Sequence, residues 1–170
     1  LNGIWKFHYA RNYGSAIPGF EKADYCCKDW DDIRVPAHIQ MEGYDAPQYA
    51  NVQYPWEGHE DIHPGEIPEH FNPVASYVKY FEVPEEMQGK RLFISFQGAE
   101  SGIALWLNGH FVGYSEDSFT PSEFDLTPYI NEETMPNLTK AMEECPELRA
   151  ACTDRDGKIY SLPKKLPLRP

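Results

Sequence analysis

The alternation of apolar and polar residues along this chain predicts a succession of short β-strands. Near the start, Trp5, Phe7 and Tyr9 alternate with Lys6 and His8, a period-2 strand with one apolar face. Ile33 to Val35 reads as a short strand that stops at Pro36. Tyr77 to Val83 and Leu92 to Phe96 read as an antiparallel pair, with Pro84 to Gly89 as the turn between them. In the second of these, Leu92, Ile94 and Phe96 share an apolar face and Ser95 points the other way. The clearest unit is a hairpin. Ile103, Leu105 and Leu107 have one parity, Ala104 and Trp106 the other, and His110 to Ser115 returns after Asn108-Gly109. Asn-Gly accepts the positive φ values of a type I′ turn, whose twist matches the strands it joins. With the preceding pair the hairpin makes a meander, and Trp106, in mid-strand, is expected in its core. Asp125 to Pro128 then begins a short helical turn, with Thr127 as its cap and Pro128 at the first helical position.

The intervals between these strands are uneven. Arg11 to Trp30 is charged and aperiodic. His38 to Pro73 is dense in turn formers, with Pro47, Pro55, Gly58, Pro64, Gly65, Pro68 and Pro73, and reads as a long loop region. Long loops mounted on a rigid sheet are where binding usually resides. After Glu133 the periodicity changes: Leu138, Ala141, Met142, Cys145, Leu148 and Cys152 recur at helical spacing. Pro146 divides that stretch into two short helical pieces. The chain is therefore read as a β-domain over residues 1–133, with a divergent helical and irregular tail over 134–170.

Composition narrows the class of partner. A formal net charge of −12 argues against nucleic acid, which needs clustered Lys and Arg, and against an anionic membrane surface. No apolar run approaches the length of a membrane span. Aromatic residues make up 14% of the chain alongside 15 prolines, which fits an all-β sandwich better than a helical or α/β domain. Cys26 and Cys27 are adjacent, and a bridge between neighbours is strained, so reduced thiols in a cytoplasmic protein are expected. Leu1 opens inside a strand with no charged-then-apolar leader, so compartment is not legible at this end.

Several catalytic patterns are tested and set aside. His59-Glu60-Asp61-Ile62-His63 matches H-E-x-x-H, but zinc binding by that motif needs a helix. Gly58 precedes it and Pro64-Gly65 follows, and Pro64 disfavours helical backbone at His63. Gly98-Ala99-Glu100-Ser101-Gly102 places Ser101 one position away from that of a G-x-S-x-G elbow. The acidic pairs Glu85-Glu86, Glu116-Asp117 and Glu143-Glu144 are chain neighbours, and strand neighbours point to opposite faces. They read as solvated surface.

Certain words in the chain nonetheless point to a family. Leu1-Asn2-Gly3 with Trp5 and Phe7, Val35-Pro36, Gly43-Tyr44-Asp45-Ala46-Pro47, Asn51-Val52-Gln53-Tyr54-Pro55, Phe96-Gln97-Gly98, the Ile103 to Tyr114 hairpin and Pro121-Ser122-Glu123-Phe124-Asp125-Leu126 follow one another in order. This series resembles the N-terminal sugar-binding domain of β-galactosidases of glycoside hydrolase family 2. The resemblance implies a jelly-roll-like β-sandwich of the galactose-binding-domain type. In that family the Asn of the NVxYP word reaches into the active site and hydrogen-bonds the galactosyl group, which places the role on Asn51, with Val52 beside it. An amide donates and accepts at once, as a sugar hydroxyl pair requires. Trp56 offers a ring face as a weaker contributor. The parent enzymes hydrolyse terminal β-galactosides with retention, using two Glu residues on a TIM barrel that this chain does not contain. The expected partners are thus a β-galactoside and that catalytic barrel. No cofactor is expected in the chain itself, although family enzymes often use Mg²⁺ and Na⁺. The setting implied is a bacterial cytoplasm.

Two departures matter. An Asp that the family places in the loop after PSEFDL has no counterpart here. The stretch from Met135 to Pro163 instead resembles a segment of bacterial extracellular solute-binding lipoproteins. Two alternatives therefore stand beside the first: a free-standing carbohydrate-binding module, or a truncated domain fused to foreign sequence. A lost terminal strand would leave a sheet edge open to a second copy of the chain.

Overall fold

In the computed structural model, residues 1–47, 56–58 and 60–130 are described. They are all-β, with three single 3₁₀ turns, and fall into two compact units. Of the described residues, the first unit comprises those in 1–18 and 29–79, and the second those in 19–28 and 80–130.

The first unit is built on β1 (Gly3–Ala10), the central strand of a three-stranded antiparallel sheet. Its neighbours are β2 (Asp31–Val35) and β3 (Val74–Val78). The expected alternation is present: Trp5 lies opposite Ile33, and Phe7 lies between Asp31 and Tyr77. Phe7 is fully buried and Ile33 nearly so. Rings close around Phe7, with Tyr44 at 4.5 Å and Tyr77 at 4.9 Å between centroids. On the other face the Lys6 ammonium lies 3.0 Å from the Asp32 carboxylate and donates to the Trp30 carbonyl at 3.2 Å. The Arg11 to Trp30 connection is irregular, as its composition predicts. It opens with a 3₁₀ turn at Tyr13–Ser15, where the Asn12 side chain accepts the Ser15 N–H at 2.8 Å.

The second unit contains two antiparallel ladders. One pairs β4 (Phe93–Phe96) with β7 (Ser122–Asp125), and the other pairs β5 (Ile103–Leu107) with β6 (His110–Ser115). The β5–β6 turn is the one the sequence calls for, with Asn108 at φ 53° and Gly109 at φ 83°. The Asn108 amide donates to the Tyr129 carbonyl at 3.0 Å, tying the turn to the end of the unit. Pairing runs Leu105 to Gly113 and then Trp106 to Phe111, so Val112 is an extra residue in the return strand. Such a bulge bends a strand locally. The bend brings β6 against β7, where the Ser122 and Ser115 hydroxyls meet at 2.8 Å.

Several expectations need correction. Tyr77 to Val83 does not pair with Leu92 to Phe96. The strand ends at Val78 and pairs with β1, while β4 pairs with β7. Alternation assigns a side chain to a face, whereas the choice of partner depends on the whole sheet. Ser122–Asp125, unassigned from sequence, is therefore a strand. Trp106 is 36% exposed, because it belongs to the parity opposite the half-buried Ile103, Leu105 and Leu107. It stands edge-on to Phe111 at 5.4 Å. The turn at Thr127–Tyr129 is 3₁₀, and its N-cap is Leu126. Thr127 is inside it, and its hydroxyl accepts the Leu92 N–H at 2.8 Å instead. Cys27 is buried and carries no disulfide, its Sγ lying 3.5 Å from the Tyr80 hydroxyl, but Cys26 is disulfide-bonded. Adjacency makes a bridge between the two strained without preventing one elsewhere. The helical tail predicted over 134–170 lies outside the described residues.

Candidate functional site

The site predicted from sequence is the long loop region between β2 and β3. Asn51 and Val52 lie outside the described residues, but both flanks of that stretch are visible and both are anchored to β1. On the near side, Gly43 adopts φ 91°, a backbone conformation open to glycine. The next two residues clasp the strand. Tyr44 packs its ring on Phe7. Burial, followed by a hydrogen bond to the Asp31 carboxylate, raises the Tyr44 phenol above its ordinary pKa. Asp45 faces Tyr9, and burial together with that carboxylate raises the Tyr9 phenol likewise. The GYDAP word thus spells a fixed point on β1, from which the chain leaves through Ala46-Pro47.

On the far side, Trp56 occupies a turn over 56–58, half-buried, and its carbonyl accepts the Glu60 N–H at 3.2 Å. Glu60 then turns its carboxylate onto three successive backbone groups. One oxygen accepts the Glu69 N–H at 2.9 Å; the other accepts the N–H groups of His70 and Phe71 at 3.0 and 3.2 Å. These bonds hold the Glu60 carboxyl below its ordinary pKa, with the Glu69 N–H as the largest cause. The closed loop is fastened to the end of β1. The Asn72 N–H donates to the Arg11 carbonyl at 3.0 Å, and the Asn12 amide donates to the His70 carbonyl at 3.4 Å. Phe71 is buried, with the Arg11 guanidinium 5.6 Å above its ring.

This arrangement gives the H-E-x-x-H word a positive role. Its Glu is a loop clasp. His63 is exposed and pairs with Glu66, whose carboxylate lies 3.2 Å from Nδ1 and accepts the His63 N–H at 2.8 Å. His59 lies outside the described residues. Among the described residues no group of three His, Cys, Asp or Glu side chains could hold a metal ion, and no helix is long and apolar enough to cross a membrane. Sequence reasoning missed the Glu60 clasp. Its signal was weak: an acidic residue ahead of a Gly/Pro-rich loop, with partners nine to eleven residues further on.

The clasp carries a test. Replacing Glu60 by Gln leaves one carbonyl oxygen where two carboxylate oxygens served three donors. Amide hydrogen exchange at Glu69, His70 and Phe71 should quicken, while protection at Phe7 stays unchanged. The pH dependence has a definite sign. A carboxyl with a lowered folded pKa contributes fully above its ordinary value of 4.5, and that contribution fades as pH falls through the lower folded value. The variant should therefore lose loop protection less steeply on acidification. Equal exchange rates in the two proteins would remove the clasp from the account.

The fold and these anchored segments define a class: an all-β domain whose long β2–β3 connection is fastened at both described flanks to its central strand. Comparison with known proteins then makes the assignment specific. Residues 1–142 match the family described as glycosyl hydrolases family 2, sugar binding domain, and the chain belongs to that family. It is 61% identical over 132 residues to a β-galactosidase of Halalkalibacterium halodurans, and 52% identical over 132 residues to one from Clostridium acetobutylicum. Each match covers 78% of this chain but only 13% and 15% of the respective relative. Among solved structures, a β-glycosidase from Bacteroides vulgatus superposes with a TM-score of 0.53 at 25% identity. That match covers 77% of this chain and 15% of the glycosidase. The chain thus spans only a small share of the length of the β-galactosidases it matches.

Proposed function

We propose that the chain serves a β-galactosidase-type retaining glycoside hydrolase, lending the Asn51 amide to a galactosyl group bound at an active site housed in a separate catalytic barrel. The observation that supports this most is the double anchorage of the Asn51 stretch. Tyr44 and Asp45 hold one flank to β1 and the Glu60 clasp holds the other, as expected of a loop that must present a polar group with little loss of freedom on binding. Val52 and, more weakly, Trp56 flank the amide. The 61% identity to a named β-galactosidase favours galactosides over other glycosides.

In this reading residues 1–133 belong to a jelly-roll-like sandwich domain, with 134–170 a separate tail. The domain brings no metal or cofactor of its own and works in the bacterial cytoplasm. Disulfide-bonded Cys26 makes thiol titration the check on that compartment. Open sheet edges would let a second copy pair, and a rise in sedimentation coefficient with concentration would reveal it.

Two measurements test the function. The isolated chain should not hydrolyse a chromogenic β-galactoside. In the enzyme that carries this domain, Asn51→Ala should lower kcat/KM about 10- to 100-fold, the cost of leaving a sugar hydroxyl unpaired. An unchanged kcat/KM in that variant would end Asn51's assignment. Hydrolysis by the isolated chain that disappears with one acidic side chain would end the non-catalytic reading.

A further inference from the structure

His8 on β1 and Ser76 on β3 stand directly opposite each other in the central sheet. Ser76 is only 2% exposed. Its Oγ and the Nδ1 of His8 are the two buried side-chain polar atoms, among the described residues, that reach no hydrogen-bonding group of the protein. That both fall in one cross-strand pair is the informative point. Buried polar atoms are almost always satisfied, and isolated exceptions are scattered. Two facing exceptions share a cause.

We propose that His8 Nδ1 and Ser76 Oγ together hold a single buried water molecule. The cross-strand pairing is compatible with one bridging water. Side chains directly opposite on antiparallel strands have Cβ atoms about 4.5–5.5 Å apart. Nδ1 and Oγ do not bond directly, and a water making two bonds of about 2.8 Å spans a gap of roughly 4.5–5 Å. The surroundings close the position. The Trp30 ring lies 5.5 Å from the His8 ring and is itself buried, and the Lys6 ammonium holds the Trp30 carbonyl in place. An ion is a poor occupant. Lys6 lies on the same face of β1 with its charge already matched by Asp32, and the serine hydroxyl offers no balancing charge. Water supplies both a donor and an acceptor, which a hydroxyl and a ring nitrogen can each use whatever the tautomer.

The test uses the full 170-residue chain. In water–protein NMR experiments the Ser76 and His8 amides should show contacts to one long-lived water. Their absence, or a crystal structure with Oγ bonded directly to Nδ1, overturns the proposal. Denaturant midpoints give a second, independent reading. Ser76→Ala should lower the midpoint in the native chain, because the water loses a partner while His8 still needs one. In a His8→Leu background the same change should be neutral or raise the midpoint. Equal effects in the two backgrounds would sink the shared site. Should Ser76→Ala fail to fold, the NMR measurement on the unaltered chain decides alone.

Discussion

Phe7→Ala should remove about 3–5 kcal/mol of folding free energy, the usual cost of emptying a buried aromatic site. Phe7 has no exposed surface and sits in the middle of the central strand, with Tyr44 and Tyr77 against its ring. Those neighbours belong to different segments, the GYDAP word and β3. A cavity here therefore loosens three parts of the first unit together, and the rigid sheet cannot collapse to fill it. A domain of this size shifts its midpoint by roughly 2–4 °C per kcal/mol, so melting should fall by about 10 °C. The Tyr44 clasp should loosen with it, seen as faster amide exchange around residues 43–46. Tyr13→Ala, at a side chain 81% exposed, is the control and should change stability by no more than about 0.5 kcal/mol. A Phe7 variant that melts like that control would mean the ring is not the centre of this core.

Gly113→Ala should have the next largest effect, about 1–3 kcal/mol of destabilisation from overpacking. A Cβ at this position would lie 2.6 Å from both Cδ1 and Cε1 of Phe124. The ring cannot swing aside freely, because it is on β7, paired to β4 opposite Ile94, and packs edge-on to Phe96 at 6.1 Å. The glycine follows the Val112 bulge, so β6 is bent towards β7 where the bare backbone allows close approach. Trimming the obstacle supplies the diagnostic. Phe124→Leu costs stability alone, yet in the Gly113→Ala background it should recover part of the loss, a coupling expected of residues in contact. Purely additive costs in the double variant would show that the two side chains do not share the space.

Much of the local structure was legible. The parity of Trp5, Phe7 and Tyr9 marked the core face of β1, and Ile94 and Phe96 marked the less exposed face of β4. Asn108-Gly109 marked its turn correctly because Asn tolerates positive φ and Gly, lacking a Cβ, adopts it freely. Trp106 misled because size and position suggested the core, while its own parity placed it on the exposed face. Residues 60–63 of the H-E-x-x-H word are not helical, as Pro64 implies, but nothing in its text revealed that Glu60 would gather three N–H groups from residues 69–71. The family words pointed to Asn51, which lies outside the described residues; the anchoring of the segments on either side came into view only with the fold.

Taken alone, the amino-acid order determined the all-β character, the faces of the strands, the hairpin turn and the family to which the chain belongs. Each of these is set by neighbouring residues or by words that survive intact in the text. Tertiary structure alone decided that β3 joins β1, that β4 joins β7, that Gly113 must be bare and that His8 faces Ser76. Those outcomes depend on groups far apart in the chain competing for the same space and the same hydrogen bonds, and no local pattern records who wins.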